Sequence, residues 1–276
     1  MSRTGISWMR RARHTGVLCA LLAGLVLSGC TNVPAASADE EEAFAAPREI
    51  AVEQPQEAAQ PEKKDILVAI DPGHQSWEVD MSATEPNAPG STVMKAKATT
   101  GTVGRFSGID EYALNLDISL RLKELLEQQG YAVLLTRETN DTAISNAERA
   151  QMANAAGADI YVRIHANGSE DAGASGALAL VPSAENAYVG QLSEQSASLA
   201  GHILRAYCSA TGFADLGVQV NDTMTGINWS QCPVMILEMG FMTNQHDDLA
   251  MAEDSFRQIM ADGIAEGIDT YFEEAS

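Results

Sequence analysis

Histidine and cysteine are scarce in this chain, and the short motifs of common hydrolases are missing. It contains five histidines and four cysteines among 276 residues. There is no His-Glu-x-x-His segment, which disfavours the usual helical metalloprotease site. There is no Gly-x-Ser-x-Gly segment either, which disfavours an α/β serine hydrolase. No glycine-rich nucleotide fingerprint follows the first predicted strand. A metal site would therefore have to combine side chains that are far apart in the sequence.

Basic residues are also few. The chain has 17 Lys and Arg against 38 Asp and Glu, a formal net charge of −21. Four of the arginines precede residue 14, and residues 1–29 contain no acidic residue, so their removal would take the net charge from −21 to −25. Such a charge disfavours nucleic acid and anionic lipid surfaces as partners. Its simplest role is to keep the protein soluble outside the cell.

The N-terminal residues predict a cleaved signal peptide with a lipid-attachment cysteine. A basic segment precedes the apolar run Val17–Leu27, which is too short to predict a transmembrane helix. The run ends in Leu27-Ser28-Gly29-Cys30, which resembles the lipobox of bacterial lipoproteins. The resemblance implies cleavage before Cys30 and a lipid anchor on its thiol, which would hold the mature chain at the membrane, extracytoplasmic and facing the cell wall. An ordinary secretory signal is the alternative, and it also implies an extracytoplasmic domain.

The next segment has the composition of a linker. Residues 30–64 are rich in Ala, Pro, Gln and Glu, and Phe44 is their single aromatic residue. Such a segment buries too little apolar surface to offset the entropy of ordering it. We therefore predict three parts: a lipoprotein signal peptide at 1–29, a lipid-anchored, disordered acidic tether at 30–64, and one catalytic domain at 65–276.

Two cysteines remain in that domain. Cys19 lies in the predicted signal peptide and Cys30 is the predicted lipidation site, which leaves Cys208 and Cys232. Outside the cytoplasm they could form a disulfide, and two free buried thiols are an equally good alternative.

Apolar periodicity in residues 65–276 alternates between strand and helix. This alternation predicts an α/β fold: a mostly parallel, twisted sheet flanked by helices on both faces. Segment 75–108 is polar, glycine-rich and aperiodic, and we expect it to form a rim or lid over the site. The predicted strands are Ile66–Ile70, Tyr131–Thr136, Ile160–Ile164, Ala177–Val181, Val218–Val220 and Val234–Leu237, and the predicted helices are Glu111–Gln129, Asn146–Ala156, Gln191–Ser209 and Asp254–Phe272.

Two imidazoles and a carboxylate stand just past the carboxyl ends of three predicted strands: His74, His165 and Glu238. Ligands bind at that edge of an open parallel sheet. A second carboxylate, Glu111, begins the helix between the first two strands, where the helix dipole alone would favour it. Two imidazoles and two carboxylates match a hydrolytic zinc site, which needs three ligands, an open position for water and a base. An acid at the end of an apolar strand is costly unless functional, so Glu238 is the candidate general base.

Three further polar or aromatic residues are candidates for contact with substrate or with a ligand. Asn115 lies one helical turn after Glu111 and would orient a ligand or touch substrate. Asn167 follows His165 closely. Trp229 would either stack on substrate or anchor a half-buried loop. Arg137 and Arg149 are expected to be structural salt-bridge partners with no chemical role.

Six short motifs occur in an order that resembles the zinc-dependent N-acetylmuramoyl-L-alanine amidases of the amidase-3 type. The resemblance spans essentially residues 65–273. Arg163, where many members have a small residue, and the long segment 75–108 depart from the common pattern. The motifs are Asp71-Pro-Gly-His74, Glu111-x-x-x-Asn115, Thr136-Arg137, Glu148-Arg149-x-x-x-x-Asn154, Ile164-His165-Ala-Asn167 and Glu238-x-Gly-Phe-x-Thr-Asn244.

The resemblance implies a site and a reaction. One zinc ion per chain would be bound by His74, Glu111 and His165, with Glu238 as the catalytic base. The substrate would be peptidoglycan, cut at the amide between N-acetylmuramic acid and L-alanine during wall remodelling, daughter-cell separation or lysis. Two alternatives stay open: a zinc amidase or peptidase that acts on another extracellular amide, and a non-catalytic wall-binding lipoprotein. The second is disfavoured because all four residues are present.

Overall fold

A mostly parallel sheet organises the described part of the chain, which in this computed structural model is residues 62–275. Its six strands are ordered β4-β1-β5-β8-β6-β7, and β6 against β8 is the antiparallel pair. Strands β2 and β3 form a separate two-stranded sheet. The strands are β1 (Leu67–Pro72), β2 (Thr84–Pro86), β3 (Met94–Ala96), β4 (Ala132–Leu135), β5 (Ile160–Asn167), β6 (Ala177–Val181), β7 (Asp215–Val220) and β8 (Val234–Phe241).

Helices cover both faces of the sheet, as predicted. The two faces form separate apolar clusters because neighbouring strand residues alternate between them: Val68 and Ile70 pack on one face, and Ala69 packs on the other. Helices α1, α3 and α6 contribute to the first cluster, and α2 and α4 contribute to the second. The helices are α1 (Glu111–Gln128), α2 (Asn146–Ala156), α3 (Ser193–Thr211), α4 (Thr225–Asn228), α5 (Gln245–Ala252) and α6 (Asp254–Ala275), with a 3-10 turn at Gly190–Leu192.

The ends of α2 agree with the sequence prediction because its boundary signals are local. The Ser145 side chain accepts a hydrogen bond from the Glu148 backbone N–H, and the Glu148 side chain accepts one from the Ser145 backbone N–H. This capping box stops the helix from starting earlier. Gly157 then ends it with φ 70°, a left-handed conformation that glycine adopts without strain.

Several features differ from the sequence prediction: α4 and α5 are not among the predicted helices, β7 begins earlier than predicted, and three further differences concern the sheet and its rim. Strands β5 and β8 are longer than predicted, because their parallel pairing continues through His165 opposite Glu238 to Asn167 opposite Phe241. Strand β6 runs antiparallel to β8, a direction that an apolar run does not encode. The segment predicted to be aperiodic contains the β2–β3 hairpin, and the backbone N–H of Ala147 on α2 donates to Glu85 of that hairpin at 3.0 Å.

The predictions for the N-terminal region lie largely outside the described residues. The proposed signal peptide, Cys30 and the tether up to residue 61 fall in the part of the chain that is not described. Among residues 62–275, no helix is long and apolar enough to cross a bilayer.

Of the two alternatives for Cys208 and Cys232, the structure has the free thiols. Cys208 is half-buried on α3 and Cys232 is buried before β8. Burial raises the pKa of the Cys208 thiol to about 11 and also raises that of Cys232. Neither thiol is therefore activated as a nucleophile at neutral pH.

A buried carboxylate on β1 binds two arginines. Asp71 has no exposed surface, and its two oxygens are 2.8 Å from Arg149 on α2 and 2.8 Å from Arg163 on β5. The hydroxyls of Thr136 and Tyr161 also donate to it. Burial opposes the charged form of Asp71, but the two arginines outweigh it and hold the pKa of the carboxyl well below its usual range. This network ties β1, β5 and α2 together beneath the carboxyl edge of the sheet.

Two arginines also bind the backbone of the turn that follows β1. Arg149 donates to the carbonyls of Pro72 at 2.7 Å and His74 at 2.9 Å. Arg137 donates to the carbonyls of Pro72 at 2.9 Å and Gly73 at 3.0 Å. Arg149 is thus an ion-pair partner, as expected, whereas Arg137 is bound mainly by carbonyl groups. Together they fix the direction of the chain as it leaves the sheet.

We predict that Asp71→Asn lowers the free energy of unfolding by about 3–5 kcal/mol, because breaking a buried pair leaves uncompensated charge on Arg149 and Arg163. Urea denaturation followed by circular dichroism would measure the change.

Asp117→Asn is the matched control. Asp117 also contacts two arginines, Arg121 at 3.0 Å and Arg257 at 2.7 Å, but its side chain is 30% exposed. Solvent screens such pairs, so a loss of about 1 kcal/mol or less is expected. Equal losses in the two variants would contradict a special role for the buried network.

Candidate metal centre

Three side chains from separate elements converge at the carboxyl edge of the sheet. One ligand atom each from His74, Glu111 and His165 lies within 4.8 Å of the other two. His74 Nε2 is 3.0 Å from Glu111 Oε1, His165 Nδ1 is 3.3 Å from the same oxygen, and the two nitrogens are 3.1 Å apart. The arrangement brings together the three residues predicted as ligands.

His74 has an unusual backbone conformation. Its φ is 63°, the one positive value at a non-glycine residue in the described chain. Left-handed backbone costs an L-residue roughly 1–2 kcal/mol, and such strain concentrates at functional sites. The carbonyl hydrogen bonds from Arg149 and Arg137 hold the turn in place.

The imidazole of His74 is oriented by segment 75–108. Its Nδ1 lies 3.0 Å from the carbonyl oxygen of Thr99 and 2.9 Å from the Thr99 hydroxyl. A carbonyl oxygen can only accept, so Nδ1 donates to Thr99, and Nε2 is the ring nitrogen that faces Glu111. This is how proteins fix the tautomer of a metal-binding histidine.

Glu111, the first residue of α1, is buried and receives donors from three parts of the chain. Thr102 N–H donates to Oε2 at 2.8 Å, and Ala166 N–H and Asn115 Nδ2 donate to Oε1 at 3.1 and 3.3 Å. Burial raises the pKa of this carboxyl, but hydrogen bonds with His165 and His74 outweigh it and bring the pKa well below its usual range. Glu111 is therefore ionised at neutral pH. Asn115 is fully buried, which favours its role in orienting this ligand over contact with substrate.

His165 supplies the third donor in neutral form. Burial lowers its pKa to about 4, assisted by the charges of His74 and Arg163 and opposed by Glu111. Its Nε2 is buried without a hydrogen-bond partner, so Nδ1 is the nitrogen that faces the cluster. Two imidazoles and one carboxylate form a donor set that can hold a divalent metal ion.

Glu238 lies beside this cluster on the neighbouring strand. It pairs in register with His165, and it lines the same cavity of about 430 Å³ as His74 and His165. Burial raises the pKa of Glu238 to about 8, with a further contribution from the negative charge of Glu111 and an opposing one from Arg163. A carboxyl that exchanges its proton near neutral pH suits general acid–base work.

Arg163, the departure from the common pattern, forms part of the cavity wall. It is nearly fully buried, with Nε on Asp71 and Nη2 donating to Asn146 at 2.7 Å. A Cβ at position 226 would lie 2.3 Å from Arg163 Nη1. The large side chain at position 163 therefore requires glycine at position 226. Arg163 thus links the buried ion network to the site.

Segment 75–108 forms a wall of the cavity through Lys95, Ala96, Ala98 and Thr99. Thr99 and Thr102 contact ligands, as described above, and Gly101 approaches them closely with φ +78°. A Cβ at Gly101 would lie 2.4 Å from Glu111 Oε2. These residues were not identified from the sequence, where the Thr-Thr-Gly-Thr run was the only signal. The segment is a rim that supports the ligands.

Two candidates from the sequence lie elsewhere. Asn167 does not line the cavity, and its Oδ1 accepts the backbone N–H of Gly168 at 2.8 Å. Trp229 is half-buried against the second core cluster, and its indole N–H donates to the carbonyl of Pro86 at 3.0 Å. These contacts favour the loop-anchor alternative for Trp229.

Comparison with known proteins identifies the family. Residues 68–270 match the amidase-3 family, described as N-acetylmuramoyl-L-alanine amidase. The chain belongs to this family. The match confirms the family, the enzyme class and the reaction expected from the motifs: this amidase hydrolyses an amide bond of peptidoglycan.

Individual relatives agree with that assignment. The amidase is 33% identical to the uncharacterized protein YqiI of Bacillus subtilis, over 63% of this chain and 80% of that protein. It is 28% identical to the N-acetylmuramoyl-L-alanine amidase Rv3717 of Mycobacterium tuberculosis, over 74% of this chain and 85% of the relative. The crystal structure of the amidase Ami1 from Mycobacterium smegmatis superimposes with a TM-score of 0.69 at 25% identity, covering 76% of this chain and 98% of Ami1. This likeness confirms the predicted α/β fold class.

We predict that Gly101→Ala weakens binding of a divalent metal ion such as Zn²⁺ to this cluster by roughly 10- to 100-fold, the range expected when groups that orient a metal ligand are displaced. The added methyl group would push against Glu111 and His74. Competition with a chromophoric chelator would measure the affinity.

Gly90→Ala is the matched control. Gly90 has φ +75°, so alanine incurs a similar backbone penalty, but no atom lies within 4 Å of the added Cβ. Its Zn²⁺ affinity should equal that of the wild type. A similar loss in both variants would show that backbone strain, and not collision with the ligands, causes the effect.

Proposed function

We propose that this protein is a zinc-dependent N-acetylmuramoyl-L-alanine amidase in which His74, Glu111 and His165 bind one zinc ion and Glu238 is the catalytic base. The observation that carries the proposal is the convergence of three ligand atoms within 4.8 Å, with Glu238 in register beside His165. Nitrogen-rich donor sets favour zinc over harder cations such as magnesium and calcium.

The metal and the protein side chains have separate roles in this mechanism. Bound zinc would act as a Lewis acid toward the amide carbonyl and the attacking water. The negative charge of Glu111 raises the pKa of Glu238, and the positive charge of the ion would offset that effect. Glu238 removes a proton from the attacking water and returns it to the nitrogen of the leaving L-alanine. The products are a glycan strand without its peptide and a free stem peptide.

The other residues of the site position these groups. Asn115 and the backbone N–H groups of Thr102 and Ala166 hold Glu111, and Thr99 holds His74. Hydrolysis of a different extracellular amide would use the same ligands. The choice of substrate then depends on the cavity walls, which include Lys95 and Thr225.

The location of the enzyme follows from its substrate. A cell-wall amidase acts outside the cytoplasm, facing the wall. We further propose that residues 1–29 are a lipoprotein signal peptide, that Cys30 carries the lipid, and that the acidic tether 30–64 lets the catalytic domain 65–276 reach peptidoglycan from the membrane. The basic, apolar and small-residue segments ahead of Cys30 support this arrangement.

We predict that Glu238→Gln lowers kcat/KM by about 10²- to 10⁴-fold, the usual contribution of a general acid–base residue. The assay is release of new N-terminal L-alanine from purified peptidoglycan, with zinc content measured in parallel. The variant should retain one zinc per chain, and removal of zinc by a chelator should abolish release by the wild type until zinc is restored.

Glu253→Gln, at an exposed position, is the control and should leave both readouts unchanged. Loss of zinc from Glu238→Gln would make Glu238 a ligand instead of a base. A zinc-loaded wild type that releases no L-alanine would favour another amide as the substrate.

We predict that Cys30→Ser moves the protein from the membrane fraction to the soluble extracytoplasmic fraction, because the thiol that would carry the acyl chains is gone. Cys19→Ser, within the same apolar run, is the control and should stay with the membrane. Fractionation and mass spectrometry of the processed N-terminus would distinguish the two. Membrane retention of Cys30→Ser would overturn lipid anchoring.

A further inference from the structure

A second groove lies directly beside the metal centre. It has a volume of about 550 Å³, and its polar lining includes Gln75, Asp80, Ser82 and Thr100. Ala96, Ala98 and Thr99 line both this groove and the catalytic cavity. Thr99 also contacts His74, so a molecule in the groove would lie one residue away from a proposed zinc ligand. The substrate of an amidase extends on both sides of the cut bond, and it needs a second surface of this kind.

The groove presents an exposed indole. Trp77 is 69% exposed, the largest value among the described large apolar residues, while its neighbours Gln75 and Ser76 are buried. It is held in a tight turn in which Val79 N–H donates to the Ser76 carbonyl at 3.0 Å. The ring is therefore presented on a fixed backbone. A flat aromatic face that remains in water offers a platform on which an apolar ligand face can stack.

A buried hydrogen-bond donor without a partner lies in the lining of the same groove. Gln75 is 1% exposed, and its Oε1 accepts a hydrogen bond from Arg149 at 2.6 Å. That bond fixes the orientation of the amide and leaves Nε2 buried with no partner. A donor left unsatisfied costs about 1–3 kcal/mol, so such groups need an explanation. A carbonyl or hydroxyl oxygen of a bound ligand would satisfy it.

The charges of the two cavities differ. Asp80 lines the groove, and no lysine or arginine does. The catalytic cavity has Lys95 and Arg163 in its walls, together with Glu238. Asp80 would repel an acidic stem peptide from the groove, whereas Lys95 would attract it to the cavity. A neutral ligand with hydroxyl donors for Asp80, a carbonyl for Gln75 and an apolar ring face for Trp77 matches the groove.

We propose that the groove lined by Trp77, Gln75 and Asp80 binds an N-acetylated amino sugar of the glycan strand. The inference rests on the proposed amidase function and extends it: the glycan lies on the Trp77 side of the metal centre, and the peptide lies on the Lys95 side. Trp77 is then a specificity-determining residue of the amidase, stacked on a sugar ring. Gln75 donates to the acetamido carbonyl.

Isothermal titration of the full-length protein with an N-acetylglucosamine tetrasaccharide tests this assignment, because that probe is neutral and carries no peptide. The wild type should show saturable binding, with a change in tryptophan fluorescence. Trp77→Ala should weaken binding about tenfold, the effect of losing roughly 1.4 kcal/mol of stacking free energy. Trp77→Phe should stay within about threefold of the wild type. Gln75→Glu keeps the acceptor for Arg149 and removes the donor, so it should also weaken binding.

Phe106→Ala is the matched control. Phe106 is a 47% exposed aromatic residue of the same segment, but it lines a different cavity. The Phe106→Ala variant should bind the tetrasaccharide with the affinity of the wild type. Zinc content should be unchanged in every variant.

Kinetics on intact peptidoglycan distinguish failure of this proposal from failure of the amidase proposal. Trp77→Ala should raise KM about tenfold with kcat close to the wild-type value. An active wild type with unchanged KM and tetrasaccharide affinity in Trp77→Ala would overturn the sugar site and leave the amidase standing. Absence of saturable tetrasaccharide binding by the wild type, or Trp77-dependent binding of the free acidic peptide, would also overturn it. A wild type inactive on peptidoglycan would instead contradict the proposed function.

Discussion

The buried ion network around Asp71 is the constraint on which the rest of the site depends. Burying the charge of Asp71, Arg149 or Arg163 alone would destabilise the fold. Each charge is therefore tolerated because the others are buried beside it. Asp71 belongs to β1, Arg163 to β5 and Arg149 to α2, and their contacts hold these elements in one alignment. Because Arg149 also binds the His74 carbonyl, the alignment of the sheet extends to the metal centre.

The centre is assembled from segments that are far apart in the sequence. The strands position His74, His165 and Glu238, α1 positions Glu111, and segment 75–108 supplies Thr99 and Thr102. Since that segment orients two of the three proposed ligands, it is part of the site and not a removable cover. Its outer side presents Trp77, so one segment supports the metal centre and shapes the approach of the substrate.

Local signals in the sequence predicted much of the fold. The bounds of α2 could be predicted because Ser145, Glu148 and Gly157 act within a few residues of the helix ends. The reversed direction of β6 could not, since an apolar run such as Ala177–Val181 packs equally well in either direction.

The functional site also contains residues that the sequence predicted and residues that it did not. Strand ends indicated where His74, His165 and Glu238 would lie, whereas the role of Glu111 as a ligand came from resemblance to a family. The supporting contacts of Thr99, Gly101 and Thr102 had no sequence signal beyond the Thr-Thr-Gly-Thr run, because they arise only when a loop without periodicity folds over α1. The expected contact of Trp229 with substrate was one of two alternatives, and its hydrogen bond to Pro86 depends on the unpredicted hairpin.

The left-handed backbone at His74 has a consequence for how a metal would be acquired. The strain at this residue is offset by hydrogen bonds from two arginines to the backbone carbonyls of the turn. The first ligand is therefore preorganised, and little of the free energy of metal binding is consumed in ordering it. Such a turn would keep the position of His74 nearly unchanged when an ion binds.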